Sequence, residues 1–214
     1  MILKDSRERR KFALPLWLLI FVAMVIVWSW VGAHDRATWW LESFPALIAI
    51  VLLASTYKRF RFTSLAYLLI ALHACILLVG GHYTYAQVPL FNWLRDHFHL
   101  QRNDYDKLGH FAQGFVPAIV AREILIRRRV VSGPWWRVFL VMCICMAISA
   151  CYELLEWAVA LLVGSGADAF LGTQGDPWDT QSDMFCALIG AAAAQVSLAR
   201  VHDRQLEELS RPTS

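Results

Sequence analysis

Charge is what this sequence has least of. Asp, Glu, Lys and Arg make up 17% of its 214 residues and apolar residues 58%. A soluble domain carries about 25% charged and about 45–50% apolar residues, so a Rossmann-type or TIM-type enzyme and a disordered tail protein are excluded. Cysteine is also scarce. The five (Cys75, Cys143, Cys145, Cys151, Cys186) form no C-x-x-C pair and all lie in apolar stretches. They point to neither a disulfide framework nor a zinc–thiolate site, and read as small packing residues. The chain has no H-E-x-x-H helix, no G-x-S-x-G elbow and no visible internal repeat.

What is there is apolar length. Stretches of about 20 residues suit membrane spans, and six can be placed: 12–33, 37–57, 63–81, 108–126, 138–163 and 183–199. The predicted fold class is all-α, a polytopic membrane helix bundle with six transmembrane helices. It forms one transmembrane domain over 1–214 with tails 1–11 and 200–214. The first apolar stretch exceeds the 7–15 residues of a signal h-region and reads as a retained anchor.

The net charge of +3 says little, but its distribution says more. Lys4, Arg7, Arg9, Arg10, Lys11, Lys58, Arg59, Arg61, Arg127, Arg128, Arg129, Arg137, Arg200, Arg204 and Arg211 fall on one side of the six spans. Only Arg36, Arg95, Arg102 and Lys107 fall on the other, and Arg122 lies within span four. Positive-inside bias then puts both termini in the cytoplasm, and an even number of spans agrees in placing them on one side. Trp17, Trp135 and Trp136 fall near the inner interface, and Trp28, Trp30, Trp39, Trp40, Trp93 and Trp178 near the outer one, as an aromatic belt would. Topology accounts for the basic clusters, so no nucleic-acid partner is implied. The lipid bilayer is the partner, and protein partners are not specified.

Ionisable residues at membrane depth cost several kcal/mol unless paired or hydrated, and mark candidate sites. Asp106, His110 and Gln113 share a helix face at i, i+4 and i+7, at the outer end of span four. His110 reads as proton carrier or metal ligand with Asp106 orienting it, or as a packed histidine. Glu153 and Glu156 stand at i, i+3 in span five. Two carboxylates on one face of a dry helix call for a cation or a proton. Asp176, Asp179 and Asp183 share a face leading into span six. Asp176-Pro177 with Asp179 reads as a helix N-terminus, which leaves Asp183 unexplained. The loop 164–182 that carries them holds no Lys or Arg. His82 and Tyr83, after Gly80 and Gly81, could reach the same pocket or anchor the interface. The glycines permit an unwound or tightly packed helix end. His73, in mid-span, reads as hydrogen-bonded between helices, and Arg122 with Glu123 as a local ion pair or snorkelling side chains.

The topology gathers these groups at the outer leaflet. An oxygen-rich set with an imidazole and no thiolate suits Mg²⁺, Mn²⁺, Ca²⁺ or Zn²⁺. The leading expectation is an enzyme acting on an envelope lipid or its headgroup. Glu153, Glu156, Asp179 and Asp183 would hold a divalent metal ion, with His82 and Asp176 as weaker ligand candidates. His110 would be the general acid or base, Asp106 its orienting partner, and Gln113 and Tyr83 donors to the substrate. A proton- or cation-coupled transporter and a non-catalytic structural or regulatory protein remain the alternatives.

At these residues the chain resembles a known family. The segments GGHYTYAQVPL, DYDKLGHFAQGFVPAIVAREIL, ISACYELLEWAVAL and FLGTQGDPWDTQSDMFCALIGA are similar to the YjdF-type bacterial inner-membrane proteins, over nearly the whole chain. The resemblance implies a multi-pass protein of the bacterial cell inner membrane and brings no assigned activity. Spans four to six are also similar to VanZ-like proteins in their D-K-x-x-H-F element and acidic lead into a late helix. There the chain departs from the pattern, with Glu156 where a glutamine is expected.

Overall fold

The computed structural model of the chain describes residues 2–164 and 168–210, with side chains described for 13–164 and 170–210. Its helices are α1 (Ile2–Trp30), α2 (Arg36–Thr56), α3 (Ser64–Tyr83), α4 (Pro89–Phe98), α5 (Tyr105–Arg127), α6 (Pro134–Val163), α7 (Asp168–Leu171) and α8 (Asp179–Ser210), with a 3₁₀ turn at Tyr85–Gln87. No strand occurs among the described residues. The all-helical class follows from continuous apolar runs that satisfy their backbone hydrogen bonds internally.

Five of these helices, α1, α2, α3, α6 and α8, are long and apolar enough to cross a membrane. The helix expected as span four is α5, and it differs from them in composition. Its 23 residues include Asp106, Lys107, Arg122, Glu123 and Arg127. The reason is its place: α5 packs against α3, α6 and α8, and buries residues around most of its circumference. A central helix meets protein instead of lipid, so its polar groups find partners on its neighbours.

The tightest contact, between α5 and α8, is built on small residues. Ala187, Gly190, Ala191 and Ala194 of α8 are buried, facing Gly114 and Ala118 among the buried residues of α5. A Cβ on Gly114 would run into the backbone carbonyl of Ala187, and one on Gly190 into that of Phe111. Small residues at this spacing let helix backbones approach and pack closely. That contact sets the N-termini of α5 and α8 side by side.

The remaining helices complete the frame. Asp35 caps α2, its carboxylate accepting from Thr38 N at 2.6 Å, and this bond holds its pKa below the ordinary carboxylate range. Thr63 caps α3. α3 stays helical through Gly80 and Gly81 to Tyr83, so the tightly packed alternative applies there. Pro89 opens α4, an element absent from the sequence-based expectation. Leu90, Trp93 and Phe98 of α4 are exposed and Trp93 stacks on His97, the pattern of a helix lying along a membrane surface. Exposed Trp17, Trp28, Trp40, Trp93, Trp135, Trp136 and Trp178 suit the expected belt. Trp39 does not: it is buried and donates its indole N–H to Ser29 Oγ at 2.7 Å.

At the end of the bundle where α3 and α8 meet the α5 C-terminus, a buried network closes the fold. Glu123 accepts from Thr63 N at 3.0 Å and Thr63 Oγ1 at 2.8 Å. It also meets His202 Nε2 at 3.1 Å and Arg127 at 2.7 Å. Arg122 reaches His202 Nδ1 at 3.0 Å and Asp203 at 2.7 Å. Because a guanidinium only donates, His202 accepts at Nδ1 and its Nε2 donates to Glu123. Arg122 and Glu123 are therefore linked through α8, not paired with each other. The side chains of Lys4, Arg7, Arg9, Arg10 and Lys11, and all of Arg211, lie outside the described residues.

Candidate functional site

The opposite end of the bundle gathers most of the ionisable residues singled out above. There the N-termini of α2, α5 and α8 meet the C-terminal halves of α3 and α6. Glu42, Asp106, His110, Gln113, Glu153, Asp179 and Asp183 are all buried.

The upper layer is organised by Arg102, in the segment between α4 and α5. Its Nη1 pairs with Asp179 and lies 3.5 Å from Asp176. Its Nη2 lies 3.6 Å from Asp106, and its Nε 3.6 Å from Asp104. It also donates to the carbonyls of Gly172 and Thr173, each at 3.2 Å. Burial works against the guanidinium charge, but the hydrogen bond it donates to Asp179 and the charges of Asp179, Asp106 and Asp183 prevail and raise its pKa. Lys107 adds a second cation, 3.8 Å from Asp104 and 3.9 Å from Asp176. The acidic loop is thus neutralised, although it carries no basic residue of its own: its cations come from the α4–α5 side. Asn103 and Gln174 tie the two loops together by reciprocal bonds, Asn103 N to Gln174 Oε1 at 2.9 Å and Gln174 Nε2 to Asn103 O at 2.8 Å. The helix reading of Asp176-Pro177 holds only loosely. α8 starts at Asp179, and Asp176 accepts from Trp178 N at 2.9 Å.

Beneath this lies His110. Its Nε2 is 3.4 Å from Asp106 Oδ1, and its Nδ1 is 3.2 Å from Gln113 Oε1 and 3.7 Å from Glu153 Oε1. The i, i+4, i+7 face read from the sequence therefore brings Asp106 and Gln113 to either side of the His110 ring. Asp183 approaches from α8. One donor atom each from Asp106, His110 and Asp183 lie within 4.8 Å of one another, a spacing that a single cation could bridge. Glu153 Oε1 and Asp183 Oδ1 are buried without a hydrogen-bond partner, and an unpaired buried carboxylate oxygen is costly. Several carboxylates in one dry pocket need a cation or protons among them.

A cavity of about 560 Å³ opens beside this cluster. Its polar wall is Glu42, Asp106, His110, Gln113, Tyr152 and Glu156. Tyr152 donates to Glu42 at 3.2 Å, joining α6 to α2 across the opening. His73 also lines the cavity, and its Nε2 is buried without a partner; it does not bond between helices as expected.

The candidate residues therefore sort into places. Asp106, His110, Gln113, Glu153 and Asp183 come together. Asp179 and Asp176 serve Arg102. Glu156 lines the cavity instead of joining the Asp106–His110–Asp183 group. His82 and Tyr83 face away. His82 stacks on Trp28 at 4.5 Å between ring centroids, its Nδ1 2.9 Å from Ser29 O. Tyr83 sits edge-on to the same Trp28. Sequence reasoning missed the roles of Arg102, Glu42 and Tyr152. A carboxylate inside an apolar run was the available signal for Glu42. Arg102 had none, because its partner Asp179 is 77 positions away.

Comparison with known proteins adds a family. Residues 14–204 match the family model described as "Predicted membrane protein (DUF2238)". The chain is 55% identical over 185 residues to the inner membrane protein YjdF of Escherichia coli strain K12, covering 86% of this chain and 88% of that protein. No solved structure matches.

Proposed function

The chain belongs to the DUF2238 family of membrane proteins, and on that premise we propose that it is a multi-pass protein of the bacterial inner membrane bearing a divalent-cation-dependent site that acts on an envelope lipid or its headgroup. In this reading α5 is a sixth span, buried among the five apolar ones. Both termini are cytoplasmic, by the positive-inside bias, and the His110 end faces the periplasm.

The observation that carries the proposal is the convergence of Asp106, His110 and Asp183 donor atoms within 4.8 Å, with Asp183 Oδ1 and the neighbouring Glu153 Oε1 buried without a hydrogen bond. These three residues would hold the cation. This set replaces Glu153, Glu156, Asp179 and Asp183 as the preferred ligands, because Asp179 is hydrogen-bonded to Arg102, which Asp106 only faces at 3.6 Å, and Glu156 lines the cavity. His110 then orients by its second nitrogen, directed at Gln113 and Glu153, as metal-bound imidazoles commonly do. Mixed carboxylate and imidazole donors suit Mg²⁺, Mn²⁺ or Zn²⁺. Such an ion supplies Lewis acidity toward a phosphoryl or acyl oxygen. Glu42, hydrogen-bonded to Tyr152, and Glu156 are the carboxyls placed to exchange protons with a substrate in the cavity.

Two features favour this over the alternatives. A carrier needs a polar route toward Arg122 and Glu123, but the cavity's middle is lined by Ala46, Leu53, Ile70, Val116 and Val120. A purely structural cluster needs each carboxylate paired and no cavity beside it. The test is lipid profiling of membranes with and without the protein, with His110→Ala as control. The reading expects one lipid class to change with the active protein only; identical profiles in all three membranes contradict it.

A further inference from the structure

The cavity extends far beyond the polar site. Along α5 and its C-cap the wall includes Asp106, His110, Gln113, Val116, Val120, Ile124 and Arg128, one continuous stripe. From Asp106 to Arg128 that stripe rises about 33 Å at 1.5 Å per residue, against about 30 Å for the whole hydrocarbon core. A single leaflet is about half of that. α2 forms the facing wall with Ala46, Ala49, Leu52 and Leu53, α3 the floor with Ile70, Ala74 and Leu77, and Phe60 and Arg128 close the far end. Leu52 and Ile148, on its rim, are exposed. The groove therefore opens sideways, where a membrane protein meets lipid chains.

We propose that this groove holds the hydrocarbon tail of the substrate, and that the substrate is a long-chain lipid of the polyisoprenoid kind, whose tail crosses the bilayer midplane while its phosphate-bearing head sits at Asp106, His110 and Asp183. The proposal rests on the cation-site reading above and adds the identity of the tail. Three observations support it together. The groove is continuous with the polar site. Its walls between the ends are apolar apart from His73 and, toward the far end, Thr56. Its length outruns any chain confined to one leaflet, so a glycerolipid in the outer leaflet would leave the half around Val120 and Ile124 unfilled. The head fits for a matching reason: carboxylates repel a phosphate unless a cation lies between them, and the Asp106–His110–Asp183 group is spaced for one.

The test uses the full-length protein in nanodiscs, with a photo-crosslinking amino acid at Ile124 (far half) or Leu77 (near half). The probes are radiolabelled long-chain polyprenyl phosphate and dioleoyl phosphatidylglycerol, each with Mn²⁺. The proposal expects the polyprenyl probe to crosslink at both positions and the glycerolipid at Leu77 at most. Ala49→Phe and Val120→Phe, two independent ways of filling the far half, should each cut the Ile124 crosslink at least fivefold while the protein stays monodisperse. Equal crosslinking of both probes at Ile124 overturns the proposal, as does an Ile124 crosslink indifferent to both fillers. The head site is read separately. If the polyprenyl crosslink at Ile124 persists but ignores Asp183→Asn and Mn²⁺ removal, the cation-site reading fails while the groove assignment of the tail stands.

Discussion

Arg102 and Asp179, 77 residues apart in sequence, form a buried ion pair that binds the loop before α5 to the first turn of α8. The guanidinium also faces Asp104, Asp106 and Asp176, so one side chain fixes the geometry of the whole acidic roof. Arg102→Met should leave four carboxylates without their nearest cation and cost about 3–5 kcal/mol, the usual penalty for breaking a buried pair from one side. Arg102→Lys should recover only part of this, since an ammonium cannot reproduce the planar fork. Thermal unfolding of the two variants in detergent checks the order: wild type, then Lys, then Met.

The α5–α8 contact makes a second, independent expectation. Gly114→Val must push α5 away from the Ala187 carbonyl, and Gly190→Val must do the same at Phe111. Each should abolish the monodisperse peak in size-exclusion chromatography. Ala192→Val, on an exposed part of the same helix, should leave the peak unchanged.

At the far end, His202→Ala removes the group between Arg122 and Glu123 and leaves a fully buried carboxylate short of a partner. The expected loss is about 1–3 kcal/mol, read as a lower unfolding midpoint. Cation binding should not change, because the two networks occupy opposite ends of α5. A parallel loss of cation binding would mean that the ends are coupled.

The orientation is checked by cysteine accessibility in intact cells. A cysteine placed at Asp104 should react with a membrane-impermeant maleimide, and one at Glu208 should react only after the membrane is opened. The reverse pattern would place the His110 site in the cytoplasm.

Much of this was legible before any coordinates. Apolar length gave the all-helical class and the approximate bounds of the long helices, since hydrocarbon admits little else. Helical spacing placed Asp106, His110 and Gln113 on one face because that relation is local. All but one of the failures share a physical cause, dependence on partners distant in sequence. The acidic loop looked unneutralised because Arg102 lies outside it. Glu156 looked like a partner of Glu153 because i, i+3 residues share a face, yet packing sends Glu153 to His110 and leaves Glu156 at the cavity wall. His82 and Tyr83 were drawn to α1 by Trp28, a contact that no spacing rule anticipates. α4 escaped notice because ten residues with an apolar face are too short to read as a span.

The central claim is that Asp106, His110 and Asp183 together bind one divalent cation. Titration of the nanodisc-embedded protein with Mn²⁺, followed by the loss of the free-ion EPR signal, tests it most directly. The account predicts one site per chain, weakened at least tenfold by Asp183→Asn and by His110→Ala but by less than threefold in Glu156→Gln. Binding that is absent from the wild type, or that survives both Asp183→Asn and His110→Ala unchanged, would contradict it.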